Sequence, residues 1–492
     1  MKTRITLLML TMLMLTQIAQ AQQEKERDTA NLRELPFYID PVKRMPDVDL
    51  KDKKEGTFIT GLPRFEFDPI RGFGAGGNLN VFWNGDESDP FFEYTPYRHR
   101  LNAEFFVFEN GRIRYAFNYD APYIFDTPWR LRADAVFWED PDAQYWGIGR
   151  NSINRLSFAD KSEGVLGTER TFRRISDYED NLKIAIPDGE GGFVTDFHYN
   201  QIIQREQLYN LLGERVLMGG KMRIMFGYEM LFTQFESYGG KIADEAVTVD
   251  GQSVNAINNE TLVDIQKGDG TWDRFNLSGF GDDQWKFTSM LAWALIYDTR
   301  DFEPDPSKGI FLQYSHEWSV PELGSDFSFN KFMLQAQAFK TISKWKGGKR
   351  RITLAGMASL GHIWGSNINF IEMYDLSSQA EAGGILVLGG ERSLRGFREA
   401  RMLAPTVGLI NLEMRTRLYD FKLLNQEFVL GLTPFFDAGT VWDGIDEIEL
   451  NGFRGSAGIG GRIGWNQSTV MRLDYARSRE GSQIFFGFGH IF

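Results

Sequence analysis

The feature that most constrains this chain is a two-residue alternation that recurs from Pro63 to the C-terminus. In Gly309–Ser319, Ile310, Leu312, Tyr314 and Trp318 fall on one face, with Gln313, Ser315 and Glu317 on the other. Trp129–Phe137 repeats the pattern, with Trp129, Leu131, Ala133, Ala135 and Phe137 set against Arg130, Arg132 and Asp134. Met222–Phe232 and Leu101–Phe108 do the same. Period two sustained over such stretches specifies antiparallel strands with one greasy and one wet face. A soluble β-sandwich would also alternate. The last segment favours a membrane wall instead, because Phe486, Phe488, His490 and Phe492 share one face and Gly487 lies on the other. A terminal aromatic strand suits an outer-membrane barrel, whose aromatics sit at the interfaces.

Mean hydropathy is −0.33, and the chain carries 51 Gly, 41 Phe, 17 Tyr and 12 Trp. Helical membrane spans need runs of about twenty apolar residues, which are missing; a barrel with a polar interior fits the same composition. The expected fold is all-β, a transmembrane antiparallel barrel of about 16 strands with an extracellular loop folded into the lumen. The first strand is placed at 64–69, the sixth at 193–208 and the last at 482–492. With both ends periplasmic, the long connections near 141–192, 237–287 and 363–404 all follow odd strands and lie outside the cell. Short connections at Asp126–Pro128 and Asn466–Gln467 follow even strands, as periplasmic turns do.

The N-terminus has Lys2 and Arg4, an apolar run from Ile5 to Leu15 and an Ala19–Gln20–Ala21 cleavage pattern. It reads as a secretory signal peptide over 1–21, cut between Ala21 and Gln22. Residues 22–60 are polar and proline-containing and read as a short periplasmic arm or linker. The barrel is assigned to 61–492, and the location is the bacterial outer membrane.

Net charge is −13, which gives no basic footprint for nucleic acid. The absence of cysteine removes disulfides, thiolate chemistry and a lipoprotein anchor. The five histidines, His99, His198, His316, His362 and His490, sit on separate predicted strands in no metal-ligand spacing. The glycines at Gly458–Gly461 have no following helix and read as wall curvature. Tyr297–Gly309 gathers Asp298, Arg300, Asp301, Glu303 and Asp305 around two prolines. It could be a calcium loop by oxygen content, but it lacks that spacing and reads as a turn. No catalytic residue, cofactor or metal site is expected, and the chain is read as a non-enzyme. A hydrolase assembled on the outer loops and a passive or structural pore are the rival readings.

The densest cluster of charge with glycine is Leu388–Met402, which places arginine at 392, 395, 398 and 401. In the next strand, Leu412, Met414 and Leu418 face lipid, so Glu413, Arg415 and Arg417 face the lumen. In the strand after that, Leu432 and Phe436 face lipid and Asp437 faces the lumen. An arginine folded back from the loop could meet both carboxylates in bidentate geometry. Such a lock would fix one loop conformation even if its net stabilisation were small.

"LGGERSLRGF" with "FFDAGTVW", "YDTRDFEPDPSKG", "YWGIG", "RLDYA" and the final phenylalanine resembles the BamA/TamA/FhaC superfamily, the bacterial surface antigens, over roughly 60–492. The resemblance implies that Arg395, Gly396 and Phe397 fold into the lumen, with Glu413 and Asp437 as the arginine's partners. It implies insertion or passage of protein, or of lipid, at the outer membrane through a seam joining Arg64–Phe67 to Ile484–Phe492. It also implies that Gly487, His490 and Phe492 belong to a terminal assembly signal. Outer-membrane lipid and lipopolysaccharide are expected partners; client proteins or lipids and a second copy of the chain are candidates. Residues 22–60 are too few for the POTRA domains that receive clients in the family, so the resemblance is to its short members.

Overall fold

A computed structural model describes residues 34–492 except 46, 51–52, 69–71, 160–168, 244–246, 250–251, 255–258, 282–283, 375–386, 425 and 466–468. The signal peptide with Ala19 and Ala21, and the Asn466–Gln467 turn, lie outside the described residues. Eighteen strands join in one large sheet. Leu277–Ser278 only pairs with the end of a neighbour, and Tyr419–Leu423 continues the strand before it, which leaves sixteen wall strands. The first eight are β1 Thr57–Asp68, β2 Gly72–Trp83, β3 His99–Phe108, β4 Ile113–Ala121, β5 Trp129–Gln144, β6 Gln201–Leu217, β7 Met222–Ser237 and β8 Lys286–Asp298. The others are β9 Lys308–Ser319, β10 Ser328–Trp345, β11 Arg350–Asn369, β12 Thr406–Arg417, β13 Gln426–Trp442, β14 Arg454–Trp465, β15 Thr469–Arg477 and β16 Ser482–Phe488. Each wall strand pairs antiparallel with the next in sequence, as short hairpin turns and outer loops require.

The alternation sets the facing. Leu412, Leu432 and Phe436 are exposed on the lipid side, and Glu413, Arg415 and Asp437 are buried within. The same holds on β9, where Gln313, Ser315 and Glu317 are buried. The sheet does not close by a ladder: among the described residues β1 pairs only with β2, and β16 only with β15. One side-chain contact reaches from β1 to the strand next to β16. β16 stops at Phe488, and beyond its end Thr60 Oγ1 of β1 lies 3.4 Å from Thr469 Oγ1 of β15.

Three segments differ from the sequence reading. β1 begins at Thr57 rather than 64, so the wall starts inside the stretch assigned to the arm. The charged run before Gly56 and the proline at 63 hid its alternation; proline is tolerated there because β1 is an edge strand. The sixth strand is Gln201–Leu217, while Phe193–His198 forms a separate hairpin with Lys183–Pro187. Its periplasmic half was hard to read because Leu212 turns inward onto Met225, Ala294, Ile296 and Phe311, an apolar patch on the lumen side. The last strand ends at Phe488, and Gly489 (φ 75°) turns the chain off the wall. His490, Ile491 and Phe492 therefore do not extend the lipid-facing strand. Ile491 and Phe492 are buried inside, where Arg415 Nη2 donates to the Phe492 main-chain oxygen at 2.7 Å and its guanidinium lies 4.6 Å over the Phe492 ring. The lumen-facing Arg415 guanidinium gives the Phe492 ring a cation–π berth.

Both ends of the lumen carry inserted chain. At the periplasmic end, Ile39 and Met45 of the arm are buried, and Lys43 reaches Asp298 at 3.2 Å, Asp40 Lys221 at 2.7 Å and Arg44 Glu93 at 2.6 Å. At the outer end, the β5–β6 and β7–β8 connections form a cap. Helix α1, Ile175–Leu182, turns Ile175, Tyr178 and Leu182 into an apolar cluster with Trp146, Tyr199 and Tyr238. Trp272 of the second connection stacks on Phe370 at the top of β11, 4.6 Å between ring centroids.

Candidate functional site

The loop between β11 and β12 returns into the lumen beneath this cap. Leu388 and Met402 bridge its two arms, and Met402 N donates to the Leu388 carbonyl at 3.0 Å. Ser393 Oγ donates to the Val387 carbonyl at 2.8 Å and accepts from Gly389 N at 3.1 Å, which tightens the first bend. Gly396 has φ 94°, and a Cβ there would sit 3.0 Å from Ser456 Cβ and 3.1 Å from the Arg477 carbonyl carbon. Only glycine suits that position, on conformation and on space. Leu394 and Phe397 are buried in the main apolar cluster, so the loop tip is anchored on both sides of Arg395.

Arg395 is completely buried. Its Nε and Nη2 form a fork with Asp437 of β13 at 2.8 and 2.9 Å. Nη1 reaches Glu413 of β12 at 2.9 Å and Asp474 of β15 at 3.1 Å. The guanidinium lies 3.4 Å over the Phe435 ring centroid. One side chain thus ties the loop to three wall strands through charge-assisted bonds that suit a planar fork. The structure brings together Arg395, Glu413 and Asp437, and adds Asp474, which the sequence reading passed over. The signal was available: Leu473 and Tyr475 are the lipid-facing residues of β15, so Arg472 and Asp474 had to point inward.

The remaining arginines separate. Arg398 forks onto Glu179 of α1 at 2.9 and 2.9 Å. Arg401 forks onto Glu480 in the β15–β16 turn at 2.8 and 3.0 Å and donates to the Ser152 carbonyl at 2.6 Å and the Asn154 carbonyl at 2.9 Å. Arg392 is part-buried and the most exposed of the four, 3.7 Å from its neighbour Glu391. Glu391 itself takes Arg472 at 3.0 Å, and Arg472 crosses over Gly487, where a Cβ would come within 2.8 Å of its nitrogens.

The residues of Tyr297–Gly309 make a turn that folds inward. Asp298 binds Arg300 at 3.0 Å and Arg223 at 3.0 Å, and Asp301 accepts from Ser307 N at 2.9 Å. Asp305 takes Arg351 at 3.0 Å and Arg417 at 2.7 Å, with His490 Nε2 3.4 Å away. Burial opposes the Asp305 charge, but Arg417 and Arg351 hold the carboxyl well below its usual range. Asp298 and Asp305 thus face guanidinium groups, while Asp301 holds the turn through Ser307. The histidines lie apart: His99 contacts the Tyr119 hydroxyl at 2.9 Å, His316 Asn330 at 3.2 Å and His362 Thr406 at 2.9 Å, while His198 lies in the cap hairpin.

A sixteen-strand antiparallel wall with a lumen loop tied to its inner face defines a bacterial outer-membrane β-barrel. Residues 98–492 match the Omp85 superfamily domain, and the chain belongs to that superfamily. Residues 35–98 match a domain of unknown function, DUF5982, which here comprises the lumen-docked arm, β1, β2 and the turn after them. Among solved structures, it is similar to BamA from Haemophilus ducreyi lacking POTRA domains 1-3, at 12% identity and TM-score 0.44 over 89% of this chain and 70% of that one. It is also similar to CdiB from Escherichia coli, at 10% identity and TM-score 0.47, over 88% of this chain and 62% of that one. CdiB from Acinetobacter baumannii gives 10% identity and TM-score 0.43 over 89% and 60%. The chain thus spans about three fifths of the CdiB chains. No curated protein matches it.

Proposed function

We propose that this barrel inserts or translocates protein, or lipid, at the outer membrane through the seam between β1 and β16. Arg395 is the lock that holds the loop and strands β12, β13 and β15 in register while the seam works. The observation that carries this reading is the unpaired seam itself. Every other neighbouring pair of wall strands has a ladder, whereas β1 and β16 have none among the described residues. Unpaired backbone edges are costly in lipid and are a template for another strand or an amphipathic chain. The loop fixed on the β12–β15 side would let β1 move without unfolding the wall. Folding or binding of the client would supply the driving force. Inserted chain at both ends of the lumen speaks against the passive pore.

The test uses the absence of native cysteine. Thr60→Cys with Thr469→Cys places two thiols where the hydroxyls are now 3.4 Å apart. Cells relying on the oxidised pair should show altered outer-membrane protein or lipid content, restored by reductant. Unchanged content with the bridge fully formed would end the seam mechanism.

A further inference from the structure

The periplasmic end of the lumen holds a cleft between the starts of β11 and β13, the ends of β12 and β14, and the tail after β16. Its empty volume is about 600 Å³, including the solvent in its mouth. Arg351, Arg415, Arg417 and Arg462 line it, against the carboxylates of Asp305 and Glu427. Asp305 serves Arg351 and Arg417 together, and Glu427 lies 3.3 Å from Lys349. Neither answers the other two arginines.

Arg415 gives Nε to Glu413 at 2.8 Å and Nη2 to the Phe492 main-chain oxygen, but its Nη1 is buried with no hydrogen-bond acceptor. Arg462 gives Nη1 to Asp474 and to the Gly461 carbonyl. Its Nε and Nη2 have no acceptor, and Nη2 is 3.8 Å from Glu413. Thr433 Oγ1, which also lines the cleft, has no hydrogen-bond partner either. Arg415 and Arg462 are only 4% and 5% exposed, and Thr433 is fully buried. A buried guanidinium N–H without an acceptor is costly enough that native structures almost always supply one.

An acceptor with several oxygens, small enough to sit among the strand ends, would satisfy these donors together. Guanidinium forks match tetrahedral oxyanions, and a phosphate offers oxygens in more directions than a carboxylate can. The cleft also lies beside an interruption in the wall. The β12–β13 ladder stops at Glu413↔Phe435, and pairing with β13 resumes only at Tyr419↔Leu430, in the continuation of β12. We propose that this cleft binds a phosphate group, held by Arg415, Arg462 and the Thr433 hydroxyl. The group would be either the headgroup of a periplasmic-leaflet phospholipid or free phosphate.

The experiment is equilibrium dialysis of the full chain in maltoside micelles against radiolabelled inorganic phosphate, with ionic strength held constant by chloride. Dihexanoyl phosphatidylglycerol is the competitor, and dihexanoyl glycerol is the phosphate-free control. Saturable phosphate binding is expected, weakened ~10-fold or more in Arg462→Gln by loss of charge-assisted bonds. Thr433→Val should also weaken it while leaving the thermal midpoint unchanged or raised, since a buried unpaired hydroxyl is removed. That variant keeps the test informative if Arg462→Gln fails to fold. Displacement by the phosphatidylglycerol at lower concentration than by unlabelled phosphate, and not by the glyceride, identifies a headgroup site. The reverse order identifies a free-phosphate site. No saturable binding, or binding equal in wild type and Thr433→Val, would overturn the proposal and leave a cluster hydrated by water alone.

Discussion

Replacing Arg395 by alanine removes four side-chain hydrogen bonds at one buried point, yet the expected cost is that of one ion pair. Glu413 keeps Arg415 at 2.8 Å, and Asp474 keeps Arg462. Asp437 is different: apart from Arg395 its side chain is held by Asn411 Nδ2 at 2.8 Å, and among the described residues no second cation is within salt-bridge range. The variant therefore leaves one buried carboxylate uncompensated, which destabilises by ~3–5 kcal/mol. Adding Asp437→Asn removes that charge while keeping the Asn411 contact in reach. The double variant should recover ~1–3 kcal/mol of the loss, the range of coupling for residues in direct contact. Arg392→Ala, at the most exposed of the loop arginines, should stay within about 0.5 kcal/mol of wild type. The assay is the midpoint of heat-modifiable mobility on gels, with limited proteolysis of the 387–404 loop as a second readout. If Arg395→Ala matches wild type in both, the lock is refuted. If the double variant is no better than the single one, the assignment of the cost to Asp437 is wrong, even though the loop is destabilised.

Gly396→Ala should destabilise by ~1–3 kcal/mol and so lower the same midpoint, because a left-handed φ of 94° combines with contacts of 3.0 and 3.1 Å; a wild-type midpoint would show that the loop tip shifts freely. The docked tail should weaken in acid. Burial and the Arg415 guanidinium push the His490 imidazole down to about 4, against the pull of Asp305. The unfolded state then binds a proton that the folded state refuses between about pH 6.5 and 4, so stability falls as pH drops through that window. The stability difference between wild type and His490→Gln, read from the midpoints, should change by at most ~3 kcal/mol across it and stay flat above it; a difference independent of pH from 7 to 4 would remove the titration from His490.

What could be read in the sequence was whatever obeys the strand period. Glu413 and Asp437 were placed inward because their lipid-facing neighbours fixed the register, and Asp474 could have been placed by the same rule. Glu179 and Glu480 could not, because they lie in cap and turn segments 219 and 79 residues from their arginines, where no period operates. The tail was misread for a related reason: alternation through His490 and Phe492 continues on paper, while Gly489 breaks it in space. The arginine spacing itself carries a consequence. Residues three apart on an extended segment alternate faces, so 392 and 398 would oppose 395 and 401 on a strand. Bent by positive-φ glycines at 389, 390 and 396, the loop instead sends Arg395 to the wall, Arg398 to the cap helix and Arg401 to the β15–β16 turn. The loop is thus the junction of wall, cap and seam-side turn. Under the proposed seam mechanism, a client that displaced the β15–β16 turn would load Arg401 and, through the loop, Arg395, which would put the proposed lock on the mechanical route from the seam into the lumen.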